Sequence, residues 1–231
     1  QVPEIRVAVG KILRIGLPAG VQSAVFSVSN IVIQSAINSL GKVVMAASSA
    51  AFNIEIFAYD VMNSFSQACT TFVGQNYGAG QLKRCRKTLF LCLIEDAVAT
   101  AAAIGIVLLS GRFLLSIFNN DPAVIDLGYV RLVTIFFAYI FSMLYEVMSG
   151  YLRGFGISLT PAILTTLGVC GVRIVWIAAV FPKSRTFETI MTAYPVSLSL
   201  TAVLIFIALL IAHPSRRYAS KFVTQKVTDN N

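Results

Sequence analysis

Charge is what this chain has least of. Only 12% of its 231 residues are Asp, Glu, Lys or Arg, about half the share of a soluble domain, too few to cover a water-facing surface. One histidine, His213, and four cysteines without Cys-x-x-Cys spacing leave no zinc-type ligand set and no disulfide framework. Cys69, Cys92 and Cys170 lie in or at the ends of apolar stretches and Cys85 lies in a loop; all read as small apolar filler. No G-x-x-x-x-G-K-[ST] loop is present, so the chain does not hydrolyse ATP itself, and any work it does draws on an ion gradient or another subunit. No catalytic constellation appears, which reads as a protein that is not an enzyme. The polar, basic start runs straight into a long apolar stretch, without the short core and cleavage site of a signal peptide. The first residue is Gln1, not Met, which suggests a piece of a longer chain or a processed one.

What the chain has is six apolar stretches, at 15–39, 46–73, 88–110, 124–150, 161–181 and 190–212. A bilayer core about 30 Å thick takes about 20 helical residues. Mean hydropathy is +0.79 and 57% of residues are hydrophobic. These values predict an all-α membrane protein, a bundle of six transmembrane helices over 15–214, with the lipid bilayer as its solvent. Residues 1–14 read as a cytoplasmic linker and 215–231 as a basic cytoplasmic tail.

The basic residues sort by side. Twelve fall in the N-terminal arm, the loop Lys83–Lys87, the loop at Arg153 and the tail; four (Lys42, Arg112, Lys183 and Arg185) fall in the other loops. Positive loops stay in the cytoplasm, so both termini are predicted inside a cell membrane. The net charge of +8 is that topology signal plus attraction to anionic lipid heads; it implies no nucleic acid. His213 reads as an interfacial residue.

Prolines and polar faces mark the bundle's interior. Asp121-Pro122 reads as an N-cap followed by Pro at the first helical position, and Ser158-Leu159-Thr160-Pro161 reads the same way. Pro182 ends the fifth span. Pro18 and Pro195 fall inside spans 1 and 6, where a lost backbone hydrogen bond is expected to bend the helix. At 100° per residue, Ser23, Ser27, Asn30, Gln34 and Asn38 form one stripe on span 1. Asn53, Asp60, Ser64, Gln67 and Thr71 form a second on span 2, and Arg131, Tyr139, Ser142, Glu146 and Arg153 a third on span 4. Such stripes face other helices or a hydrated path. A charge at the bilayer centre costs about 2.5–3.5 kcal/mol, so Glu55, Asp60, Glu146 and Arg173 are the candidate functional residues. Glu55 is about 140° from Asp60 around the helix and shares its face with Tyr59, Ser66 and Thr70. It is either the main cation- or proton-handling acid or half of a static ion pair with Arg173. Glu146 comes second, with Arg153 as a possible partner.

The runs Asn53-Ile54-Glu55, Met62-Asn63-Ser64-Phe65-Ser66-Gln67-Ala68 and Phe72-Val73-Gly74-Gln75-Asn76-Tyr77-Gly78-Ala79-Gly80 resemble the multidrug and toxic compound extrusion family. So do Glu146-Val147-Met148-Ser149-Gly150-Tyr151-Leu152-Arg153-Gly154, Cys170-Gly171-Val172-Arg173 and Tyr194-Pro195-Val196-Ser197. The resemblance implies one lobe of a twelve-helix transporter, the C-terminal one, with the N-terminal lobe elsewhere in the chain or on a second chain. It also implies export of drug-like small molecules in exchange for Na+ or H+, with no other cofactor and no bound metal beyond Na+ at Glu55. The coupling acids are then Glu55, Glu146 and Asp60, and the cavity residues Gln22, Asn30, Gln34, Asn53, Tyr59, Gln67, Tyr139 and Arg173. Some relatives place an acid in the first span of this lobe; here that span carries Gln22, Asn30, Gln34 and Asn38 instead. Two other readings stay open: a lipid-linked oligosaccharide flippase of the same superfamily, and a non-transporting membrane module from a truncated gene.

Overall fold

The structure, a computed structural model, describes residues 2–214; the basic tail 215–231 lies outside them. Six helical rods follow one another: α1 (Val2–Asn38), α2 (Lys42–Gly78), α3 (Leu82–Ser116), α4 (Pro122–Gly154), a fifth rod in pieces, and α7 (Phe187–Ala212). The fifth rod comprises α5 (Leu159–Thr165), a π-helical segment (Thr166–Gly171) and α6 (Val172–Ala179), closed by the 3₁₀ turn Phe181–Lys183. Among the described residues there is no strand. The helices overrun the predicted spans; at 1.5 Å per residue, the 37 residues of α2 reach about 55 Å, well beyond the hydrocarbon. α1 has no break at residue 14, so the expected linker is a helical extension of the first span.

Five of the six rods are long and apolar enough to cross a membrane. The exception is α2, expected as a span like the others. Its hydropathy is lowered by Asn53, Glu55, Asp60, Asn63 and Gln67. Its burial against α3 and α4 supplies partners for part of that polarity.

The turns follow local chemistry. The Asp121 carboxylate accepts a hydrogen bond from Ala123 N at 2.9 Å, the cap expected from Asp-Pro. Ser158 makes no such side-chain bond, and α5 begins at Leu159, two residues earlier than Pro161 at the first helical position implies. Gly80 (φ 70°) closes the α2–α3 turn in the left-handed region that glycine tolerates. Cys85, expected in a loop, is inside α3 and fully buried; all four thiols are free and buried. α1 and α7 run on through Pro18 and Pro195, and the backbone irregularity falls instead in the π-helical segment Thr166–Gly171 of the fifth rod, which itself holds no proline.

α4 is the hub, packed against α2, α3 and α7. Its approach to α2 depends on Gly150-x-x-x-Gly154. A Cβ on Gly150 would sit 2.5 Å from Ser66 O, and one on Gly154 would sit 2.6 Å from Val73 Cβ. Lipid tails give helices no hydrophobic reason to associate, so close backbone packing through small residues carries that role. Thr70 Oγ1 uses the closeness to donate to Gly150 O at 3.0 Å. We expect Gly150→Leu to destabilise the helical bundle by at least the roughly 1–3 kcal/mol of an overpacked core, seen as loss of the monodisperse peak in size-exclusion chromatography. Gly105→Ala, with nothing within 4 Å, serves as the tolerated control.

Candidate functional site

Two polar foci lie between α2 and α4. In the first, Arg131 Nε and Nη2 donate to Glu55 Oε1 and Oε2 at 2.7 and 2.8 Å, while Nη1 donates to Ser48 Oγ at 2.7 Å. Glu55 and Arg131 are each 4% exposed. A bidentate guanidinium–carboxylate pair is the strongest hydrogen-bonded ion pair available. Glu55 is therefore paired with Arg131, not with Arg173 as the sequence suggested. Arg173 lies over the Tyr194 ring at 4.3 Å and donates to Ser197 Oγ at 3.1 Å. Arg131 lies 5.7 Å from the same ring. Both guanidiniums thus use the aromatic face for cation–π attraction.

The second focus opens to space. A cavity of about 400 Å³ is lined by Gln22, Ser23 and Phe26 of α1, Tyr59 and Asn63 of α2, Glu146, Ser149 and Arg153 of α4, and the start of α5. The Tyr59 hydroxyl donates to Glu146 Oε1 at 3.3 Å. Ser66 Oγ donates to Glu146 O at 2.7 Å and accepts from Arg153 Nη2 at 2.8 Å. Arg153 is thus held by a hydroxyl, not by the Glu146 carboxylate suggested from their shared face. Tyr59, Ser66 and Thr70 do share the face of Glu55, but their hydrogen bonds go to Glu146 and the α4 backbone. Tyr59 and Tyr139, with ring centroids 6.5 Å apart, stand between the foci; the Tyr139 hydroxyl donates to Glu55 O at 3.4 Å.

Of the residues singled out from sequence, Gln22, Tyr59 and Glu146 meet in the cavity, while Glu55, Tyr139 and Arg173 gather around Arg131 and Tyr194. Asn30, Gln34, Asn53, Asp60 and Gln67 are exposed on the outer faces of α1 and α2. Gln34 bonds Asn38 at 2.8 Å, and Asn53 bonds Ser49 O at 3.0 Å. Among the described residues no group of three or more His, Cys, Asp or Glu could hold a metal ion. One buried acid escaped the sequence reading: Asp96 of α3, fully buried. Its signal was available, an acid within the apolar run Leu91–Ala103.

The family that matches the sequence is MatE, over residues 18–178. The chain belongs to the MatE family. Members of the family are transporters rather than enzymes, and this one is a multi-pass membrane protein. It is 26% identical over 164 residues to the probable multidrug resistance protein NorM of Thermotoga maritima. It is 29% identical over 177 residues to the multidrug resistance protein PmpM of Pseudomonas aeruginosa. These matches cover 71% and 72% of the chain but only 35% of each relative. Human multidrug and toxin extrusion protein 1 is 33% identical over 131 residues, 56% of the chain and 23% of that protein. A crystal structure of a MATE protein in the bent conformation superposes with a TM-score of 0.77 at 16% identity, over 94% of this chain and 47% of that one. This MatE chain therefore has the family's helical fold and spans about half the length of that structure.

Proposed function

We propose that this chain is the C-terminal six-helix lobe of a secondary multidrug exporter, one that moves drug-like compounds outward in exchange for H+ or Na+. The observation that carries the reading is the cavity in which Tyr59 holds the Glu146 carboxylate. An acid open to a water-sized space accepts either a coupling cation or the charge of a cationic substrate, and exchange follows when each favours a different state. Glu55 has both oxygens committed to Arg131, so we assign it a structural role and give the coupling role to Glu146. The exposed stripes of α1 and α2, including Asn30, Gln34, Asn53, Asp60 and Gln67, suit a wall that faces an opposing N-terminal lobe across the substrate path. The charge split supports cytoplasmic ends and, with them, a cavity that opens toward the cytoplasm.

One observation favours a second reading, a lipid-linked oligosaccharide flippase. Two guanidiniums, Arg131 and Arg173, meet one carboxylate around Tyr194, an excess of positive charge that suits a pyrophosphate. A MOP superfamily transporter of Pyrococcus furiosus, described as having a pocket of reverse polarity that suggests a different function, superposes with a TM-score of 0.72 over 87% of this chain and 44% of that one, at 19% identity. The Glu146 carboxylate in the cavity, held by Tyr59, favours the exporter.

Residues 1–231 expressed alone in a strain without efflux pumps are expected to confer no resistance, because one wall does not enclose a path. Resistance that collapses with the proton or sodium gradient would show that copies of this chain suffice, and would overturn the half-transporter reading.

A further inference from the structure

We propose that the cavity between α1, α2, α4 and α5 binds zwitterions, compounds that carry an ammonium and a carboxylate together on an apolar body, in preference to simple organic cations. This names a substrate class for the Glu146 site and rests on the reading of that site given above. Of the described residues that line the cavity, two are charged, Glu146 and Arg153, and their signs are opposite. They do not pair with each other. Among the described residues the ion pairs are Arg131–Glu55 and Arg112–Asp126. Glu146 Oε1 accepts from the Tyr59 hydroxyl at 3.3 Å, and Arg153 Nη2 donates to Ser66 Oγ at 2.8 Å. The same Ser66 Oγ donates to the Glu146 carbonyl at 2.7 Å, so the guanidinium reaches back along α4 toward residue 146. Carboxylate and guanidinium thus border one space, each with hydrogen-bonding capacity left.

The rest of the lining fits such a ligand. Ser149 is 3% exposed and lines the cavity, and its hydroxyl has no hydrogen-bond partner among the described residues. It stands on α4 between the two charged positions, with a donor and an acceptor to offer a polar head group. A buried hydroxyl left unpaired is costly, and a bound head group offsets that cost. Phe26 of α1 and Pro161 and Ala162 of α5 supply apolar surface for the ligand's body. The volume of about 400 Å³ suits a small organic molecule. Charge then decides between ligand classes. An organic cation that pairs with Glu146 also approaches the Arg153 guanidinium, and a simple anion meets the reverse conflict. In a site withdrawn from water each like-charge approach is a penalty. A zwitterion meets an opposite charge at both ends. Its carboxylate also gains the charge-assisted bonds that a guanidinium forms well.

The test is equilibrium binding of three dansyl probes to the 231-residue chain in nanodiscs, read by fluorescence anisotropy. The probes share a fluorophore and an alkyl chain. Dansylcadaverine ends in an ammonium, dansyl-aminohexanoate in a carboxylate, and Nε-dansyl-lysine in both. We expect Nε-dansyl-lysine to bind the parent at least about tenfold more tightly than either of the others. Arg153→Gln should erase its advantage over dansylcadaverine, and Glu146→Gln its advantage over dansyl-aminohexanoate. Arg153→Lys, which keeps the charge, should retain a preference for the zwitterion. Dansylcadaverine bound by the parent as tightly as Nε-dansyl-lysine overturns the proposal whichever variants fold, and so does an advantage that survives Arg153→Gln. Failure of the parent to bind any of the three overturns it as well. Cation binding that needs Glu146 but shows no zwitterion preference sinks the substrate class and leaves the Glu146 reading standing. No transport is measured, so a failure of the exporter reading in the resistance assay is separable from a failure here.

Discussion

Glu55→Gln is expected to destabilise the helical bundle rather than merely silence it. The substitution leaves the Arg131 guanidinium 4% exposed with no counter-charge. Breaking one side of a buried ion pair costs about 3–5 kcal/mol, whereas replacing both partners by apolar groups of similar volume is near neutral. Glu55→Gln should therefore cut the yield of monodisperse protein severalfold and lower its thermal midpoint. Glu55→Leu combined with Arg131→Met should recover both. Ser48 and Tyr139 lose a partner or a neighbour in the double variant, but neither is charged. A single Glu55→Gln protein that folds as the parent does would mean that the bidentate pair is not structural. Glu55 would then return as the coupling acid that its depth in the second span suggested.

Glu146→Gln is expected to do the reverse. Gln keeps the acceptor for the Tyr59 hydroxyl, and the Ser66 bond goes to the Glu146 backbone, so packing between α2 and α4 stands. What disappears is an ionisable group in the cavity. On the proposed function, gradient-driven substrate uptake by inverted vesicles of the full-length transporter should fall to background, at parental expression. Tyr59→Phe, which removes a hydrogen bond to a charged group worth about 1.5–3 kcal/mol, should lower uptake without abolishing it.

The sequence made the architecture legible because the signals are local. Apolar stretches, Asp121-Pro122 and the glycine turn at Gly80 each act within a few residues, and the helices begin and end near them. Partnering was illegible because it depends on which faces meet. Face arithmetic correctly put Glu55, Tyr59, Ser66 and Thr70 on one side of α2, but did not say that α4 covers that side. Along α4 they meet, in turn, Arg131, the Glu146 carboxylate, the Glu146 carbonyl and the Gly150 carbonyl. Glu55 and Arg131 are 76 residues apart, and nothing in periodicity links them. Arg173, at similar predicted depth, was an equally reasonable partner until Tyr194 and Ser197 claimed it. The π-helical segment Thr166–Gly171 has no proline to announce it. It accompanies a contact so close that a Cβ on Gly168 would sit 2.2 Å from Thr201 Oγ1, a constraint set by α7 and not by the segment's own residues.

The division of labour between the two buried-side acids is the centre of this account. Its most direct test is gradient-driven uptake by inverted vesicles of the whole transporter, comparing Glu55→Leu/Arg131→Met with Glu146→Gln at matched amounts of folded protein. The account predicts that the double variant, lacking Glu55 altogether, still drives uptake well above background, while Glu146→Gln does not. Uptake retained by Glu146→Gln and lost in the folded double variant would contradict it.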